Sequence, residues 1–260
     1  VPYFKLPLIF TLALALACVF SLSAQAQPKV QAAPPAQVSA IKLSPPDPKG
    51  LVVVELFSSQ ACLFCPKADA YLNILAEKDH VIALACHVDY FDIKEGSLAH
   101  SFCTQRQNQY SRTLRSGPKY TPQMIMNGRY DAIGHKKEKV DAALFQAASQ
   151  DIREISISPA SNNQFSLVMP EVETGQYSIW VAITSAPVSR SILIGNNRGQ
   201  SVLYKHIVDD LKSPMIWSGD ARSFKLSADL SKNKEGVAVW AQNQVTGEIV
   251  AAGQYKLPGQ

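Results

Sequence analysis

The sequence predicts an α/β domain in the order β-α-β-α-β-β-α, built on a mixed four-stranded sheet, followed by an all-β, sandwich-like domain. Three observations predict it. Residues 51–76 (LVVVELFSSQACLFCPKADAYLNILA) read as a buried strand, a short polar turn with a Cys-x-x-Cys pair, and an amphipathic helix. A second apolar, β-branched run, Val81–Val88, follows as the return strand of a right-handed crossover. Beyond Ile152 the pattern changes to short alternating segments separated by Asn, Gly and Asp turn signals.

Each element has its reason. Leu51, Val52, Val53, Val54, Leu56 and Phe57 are interrupted only by Glu55, as in a central parallel strand covered on both faces. Ser58, Ser59 and Gln60 break the run. Ala68, Tyr71, Leu72 and Leu75 then recur at helical spacing, and Pro66 suits the first turn, where no N–H is needed. Val81–Val88 (VIALACHV) brings His87, Asp89 and Asp92 to its carboxyl end, the edge of a parallel sheet where ligands gather. Ser97–Leu114 reads as a helix with Cys103, Gln107, Tyr110 and Leu114 on one stripe, ended by Gly117-Pro118. Gln123–Met126 and Arg129–Ile133 form a hairpin about Asn127-Gly128, and Lys137–Ala148 is a closing helix. Further strands are expected at Ile155–Ser158, Gln164–Met169, Gln176–Ser185, Ser201–Val208, Arg222–Ser227, Gly236–Asn243 and Glu248–Lys256. This part holds Trp180, Trp217 and Trp240 and no cysteine; docking or shielding are the roles open to it.

The chain has 260 residues, 47% hydrophobic and 18% charged, with a formal net charge of +4. That excess is too small and too dispersed for a nucleic-acid partner. Residues 1–26 carry Lys5, the apolar run Leu6–Leu22 and Ala24-Gln25-Ala26, which read as a secretory signal peptide with its cleavage site. A retained membrane anchor is the alternative, since the run is near spanning length. A lipoprotein signal at Cys18 lacks its expected Leu. Residues 27–49 are rich in Pro, Ala and Gln and read as a flexible linker. The two domains then occupy 50–150 and 151–260. Export implies a periplasmic or secreted protein, with no membrane contact beyond export, in a compartment where disulfides persist.

Four cysteines remain after residue 26: Cys62, Cys65, Cys86 and Cys103. The first two lie between strand and helix. Unpartnered amides and the dipole at a helix start favour a thiolate at Cys62, the species that attacks a disulfide. Cys65, one turn on, resolves the mixed disulfide. A permanent structural disulfide is the rival reading. His87 tunes that thiolate or transfers a proton, or is simply a hydrogen-bonded histidine at a strand end. Asp89 and Asp92 read as loop caps. Cys86 and Cys103, 17 residues apart in sequence, either bridge the second strand to the next helix, contributing about 3 kcal/mol by chain entropy, or stay as two buried thiols.

Strand, Cys62-Leu63-Phe64-Cys65-Pro66 and helix, with the later Tyr120-Thr121-Pro122-Gln123-Met124-Ile125-Met126-Asn127-Gly128, resemble the thioredoxin superfamily. More closely, VVELFSSQACLFCPKADA, HVDYFD, RQNQY and YTPQMIMNGR resemble a family of secreted bacterial thioredoxin-like proteins of unassigned function, over about residues 50–150. The resemblance implies a thioredoxin-like domain there, with a cis Thr121–Pro122 bond beside the Cys pair and the Thr121 backbone open to an extended substrate. It implies that Gln107 and Tyr110, with Arg106, line the cleft; a mixed helix face is the bland alternative. Glu55 stands near the buried acid that assists proton transfer to the second thiol in thioredoxins, or else pairs with Arg106. The implied activity is that of a thiol-disulfide oxidoreductase acting on protein or small-molecule thiols and disulfides, with a redox partner protein and no cofactor beyond its own disulfide. Copper-delivery members of the superfamily supply the alternative, a Cu(I) carrier using Cys62, Cys65 and His87. A non-catalytic interaction module with a structural disulfide is the third. Leu63-Phe64 and Ala61 depart from the residues of well-known oxidoreductases, so the direction of electron flow is not read.

Overall fold

β1 (Val52–Ser58) is buried at all seven positions, because strands flank it on both edges and side chains cover both its faces. It pairs in parallel with β2 (Val81–His87), Val52 opposite Val81 through to Ser58 opposite His87. On its other edge it pairs antiparallel with β3 (Gln123–Met126), Phe57 opposite Gln123. α1 (Cys65–Leu75) is the crossover between β1 and β2, and α2 (Ser101–Thr113) follows β2. β4 (Tyr130–Ile133) returns against β3 through a turn in which Asn127 and Gly128 take φ of 49° and 67°, the conformation an Asn-Gly hairpin needs. α3 (Lys137–Ala147) closes this half. The structure, a computed structural model, describes residues 50–91, 96–114, 117–160, 163–193, 195–230 and 233–258. The expected signal peptide, the linker and Asp92 lie outside them.

α2 begins four residues later than its periodicity suggests. The chain before it is drawn across the strand ends: Leu98 N–H donates to Gln60 Oε1 at 2.9 Å and His100 N–H to His87 O at 2.9 Å. His100 is therefore extended (φ −131°, ψ 137°) and serves as the N-cap.

The expected four-stranded sheet does not end at β2. The second half contributes β5 (Arg153–Glu154), β6 (Ser156–Pro159), β7 (Gln164–Met169), β8 (Tyr177–Ser185), β9 (Val188–Ser191), β10 (Ser201–Tyr204), β11 (Ile207–Trp217), β12 (Arg222–Ser227), β13 (Lys234–Asn243) and β14 (Ile249–Lys256). One mixed sheet of nine strands runs β4-β3-β1-β2-β11-β8-β13-β14-β5, beside a three-stranded sheet β12-β7-β6 and the hairpin β9-β10. The junction of the halves is narrow: Ile207 opposite Ala85, with Ala85 N–H donating to His206 O at 2.8 Å. There the sheet bends back on itself, since Ile249 N–H, at the start of β14, reaches Asn127 O at the end of β3 at 3.0 Å.

The bend makes three cores. Its concave face encloses Val53, Phe57, Ile82 and Leu84 from the first half with Ala182, Ala238, Trp240 and Ala252 from the second, and α2 adds Cys103 and Tyr110. Its convex face is covered by α1 and α3 over Val54, Leu56 and Ala83, and by β12-β7-β6 over Ile179, Val181 and Val239. The all-β half is thus a two-layered sandwich whose larger sheet continues into the α/β half. The described residues fall in one compact unit.

Candidate functional site

Cys62 and Cys65 are joined as a disulfide, Cα–Cα 5.4 Å, at the carboxyl end of β1. Phe64 is the N-cap of α1 and Cys65 its first residue, with Pro66 following where no amide hydrogen is required. The turn is held by Cys62 N–H to Ser59 O and Cys65 N–H to Cys62 O, both 3.2 Å. Cys62 is 9% exposed and Cys65 is sealed at 0%. Cys62, before the helix, is thus the more exposed residue of the pair.

α1 also carries a buried acid that the sequence reading passed over. Asp69 stands four residues after Cys65, on the same face of α1, and is buried. Burial pushes its carboxyl up to about 7, against the lowering effect of a hydrogen bond from Ser58 Oγ at 2.8 Å. His87, at the end of β2, brings Nε2 to 4.0 Å from Asp69 Oδ1. Burial, with His100 nearby, pushes His87 down to about 3. Between about pH 3 and pH 7 both groups are therefore neutral in the folded chain, and their contact there is not an ion pair. Asp69 Oδ1 and both imidazole nitrogens have no hydrogen-bond partner among the described residues.

Thr121 and Pro122 arrive alongside. Their peptide bond is cis. Pro122 accepts from Gly134 N–H at 2.8 Å, and Gly134 fills the gap to α1: a Cβ on it would lie 3.0 Å from Ala68 Cβ and 3.2 Å from Pro122 Cβ. Next to it, the His135 ring stacks on Phe64 at 4.5 Å. No backbone hydrogen bond to Thr121 occurs among the described residues. Gln107, expected in the cleft, is fully buried; its Nε2 donates to Tyr120 O at 2.8 Å and Gln123 Oε1 at 2.9 Å, so it fixes the Thr121–Pro122 loop from behind.

The second half reaches the site through an arm. β9 and β10 project from between β8 and β11, and their tip, a 3₁₀ turn at Gly195–Asn197, packs on the Cys62 turn. Asn197 Nδ2 donates to Cys62 O at 2.5 Å. Gly195, at φ 72°, lies so close that a Cβ would meet Ala61 O at 2.8 Å. At the arm's base Tyr204 packs edge-on to His87 at 5.2 Å. Asn196-Asn197 follows Gly195 as an ordinary turn signal in the sequence, and nothing in its composition announces a contact with Cys62.

Other expected site residues stand elsewhere. Glu55 faces α2, not the Cys turn. Its carboxylate takes both Arg106 Nε at 2.8 Å and Nη2 at 2.9 Å and a short hydrogen bond from Tyr110 Oη. Arg106 Nη1 donates to Gln242 Oε1 at 2.6 Å, and the guanidinium lies over Trp180 at 4.4 Å. Glu55 is thus the partner of Arg106, and Tyr110 is part of that buried network rather than of the Cys62 turn. The network borders a cavity of about 250 Å³ between α2 and the strands β8 and β13. Cys86 and Cys103 are bridged, Cα–Cα 5.3 Å, tying α2 to β2. With the cysteines joined as disulfides, no group of three or more His, Cys, Asp and Glu side chains among the described residues is placed to hold a metal ion.

A family model described as protein of unknown function (DUF1223) matches residues 53–242. A structural-genomics crystal structure of a protein from Agrobacterium tumefaciens is similar at 30% identity and TM-score 0.67, over 81% of this chain and 96% of that one. HBP35 of Porphyromonas gingivalis is similar in fold, at 16% identity and TM-score 0.52, over 81% of this chain and 76% of its own. No curated protein matches the chain.

Proposed function

The chain belongs to the DUF1223 family of proteins of unknown function, and we propose that it is an exported thiol-disulfide oxidoreductase on a thioredoxin-like scaffold. The observation that carries this reading is the asymmetry of the Cys62–Cys65 disulfide: one residue partly exposed just before a helix start, the other sealed on the same helix face as a carboxyl of raised affinity for protons. The element order of the first half and the loop at Thr121–Pro122 support the scaffold. The second bridge, Cys86–Cys103, supports a periplasmic or secreted location, where such pairs persist.

Exchange starts from the oxidised state. A substrate thiolate attacks Cys62 Sγ; the Cys62–Cys65 bond breaks and Cys65 leaves as a thiolate. Asp69, protonated up to about pH 7, is the acid placed to give that thiolate its proton. A second substrate thiolate then attacks the substrate sulfur of the mixed disulfide and releases Cys62 as a thiolate. Two electrons pass from the substrate dithiol to the protein, the substrate becomes a disulfide, and the reverse sequence reduces one. Thr121, which makes no backbone hydrogen bond among the described residues, would pair with an extended substrate strand, while Asn197 holds the Cys62 carbonyl still.

Single Cys→Ser variants test this. After reduction and reaction with a disulfide substrate, Cys65→Ser should accumulate a mixed disulfide through Cys62, with one substrate half released as a thiol, seen as a mass increase that reductant reverses. Cys62→Ser should not. A pair that dithiothreitol leaves oxidised in the folded protein would show it to be a structural bridge.

A further inference from the structure

The surroundings of Cys62 have a charge and an apolar character that thiol exchange alone does not require. Leu63 and Phe64, the two residues between the cysteines, are 48% and 45% exposed, and Leu193 on the arm is 77% exposed. Cations flank them. Lys67 follows Cys65 by two residues; Lys67 and Lys136 both act on His135, whose ring lies on Phe64. Arg198 follows Asn197, the residue bonded to Cys62 O. Lys67, Lys136 and Arg198 are exposed and have no carboxylate partner among the described residues. The arm sequence 188–205 carries Arg190, Arg198 and Lys205 and no Asp or Glu. In the turn, residues 58–69, the only acid is the buried Asp69.

Resting on the exchange reading above, we propose that the surface formed by Leu63, Phe64, Leu193, Lys67, Lys136 and Arg198 docks an acidic, extended segment of another polypeptide, the one bearing the sulfur that exchanges with Cys62. Charge decides among the occupants. A second copy would bring the same cations and a formal net charge of +4. Residues 27–49 of this chain bring Lys29, Lys42 and Lys49 against a single Asp47. Both would be repelled. An acidic segment is attracted, its apolar residues cover Leu63, Phe64 and Leu193, and the same positive field favours the thiolate form of Cys62. Asn197 and Gly195 seat the arm on the turn, so its cations are held in place before any partner arrives. The electron count is that of exchange at Cys62, with the partner's dithiol or disulfide as co-reactant.

The oxidised full chain is mixed with dithiothreitol, with a dithiol peptide flanked by glutamates, or with the same peptide flanked by lysines, and loss of the Cys62–Cys65 bond is timed. The acidic peptide should react about 10-fold faster than the basic one at low salt. The ratio should shrink toward one at high salt. The triple variant Lys67→Glu, Lys136→Glu, Arg198→Glu should invert it; a ratio of rates cancels any change in the intrinsic reactivity of Cys62. If dithiothreitol leaves the pair oxidised, the exchange reading falls and this one with it. If dithiothreitol reduces the pair but the two peptides react equally at low salt, only the acidic partner is overturned. Equal peptide rates together with binding of phosphatidylglycerol vesicles, lost in the triple variant, would assign the surface to an anionic membrane instead.

Discussion

Asp69 holds its proton up to about pH 7 in the folded chain and only to about pH 4 in an unfolded one. Between those values the folded state binds more protons, so this group makes stability fall as pH rises. His87 works oppositely. Its proton is lost already near pH 3 in the fold, whereas an unfolded histidine keeps one to about pH 6.5, so its term makes stability rise with pH across that window. The two partly cancel, and only a single variant exposes either. Asp69→Asn should be more stable than the parent at pH 8, by about 4 kcal/mol at most, and by much less at pH 4. Urea melts at the two pH values check it; equal gains at both would refute the raised carboxyl. The same variant should slow loss of the Cys62–Cys65 bond to dithiols near pH 6, where the parent has a proton to give. Choosing between Glu55 and Asp69 as the buried acid was beyond the sequence for a physical reason. β1 is buried on both faces, so alternation does not say which side carries the Cys turn. Glu55 shares its side with Val53 and Phe57, facing the concave core, where Arg106 waits for it. Glu55→Gln would leave that guanidinium buried without its countercharge and should cost about 3–5 kcal/mol in a denaturant melt.

The arm formed by β9, the Gly195–Asn197 turn and β10 shows where reading by periodicity stops. Ser201–Val208 looks like one strand, yet the chain breaks at Lys205–His206, with His206 at φ 56°, and resumes as β11 in the large sheet. Arm and sheet strand share one alternating pattern and differ only in what they pair with. β11 beyond Val208 was illegible too, because Asp209, Asp210 and Pro214 interrupt it. The ladder tolerates them through register shifts at Val208/Asp210 and Lys212/Met215. β1, β2, the Asn127-Gly128 hairpin and α3 were readable, since their neighbours are near in sequence or their turn has one chemistry. Gly195→Ala would place a Cβ against Ala61 O in a conformation that L side chains rarely adopt, and should lift the tip from the turn. The expected readout is faster alkylation of Cys62 in the reduced variant, with a loss of about 1–3 kcal/mol in stability. An unchanged alkylation rate would mean that the tip does not limit access.

The composition change near residue 150 suggested a boundary between independent parts. The bent sheet instead makes the halves share an interior: Trp240 and Ala252 of the second half pack with Val53, Phe57, Ile82 and Leu84 of the first. A fragment of residues 50–150 would leave that face in water. It should bind a hydrophobic dye and melt without a cooperative transition; a sharp two-state melt would show the first half to be self-sufficient. What hid this from sequence is distance along the chain. The Glu55–Arg106–Gln242 network and the Asn127–Ile249 contact join residues more than 100 positions apart, and no local pattern marks such partners.

Both disulfides belong to this one molecule, yet Cys62 is the most exposed of the four residues. It keeps 9% exposure, whereas Cys86 and Cys103 are walled in by β2, α2 and the concave core. A gentle reductant added stepwise should liberate two thiols per chain, pause, and release the second two only when the fold gives way. The inner bridge is thereby a built-in gauge of whether the protein was still native when its outer pair was spent.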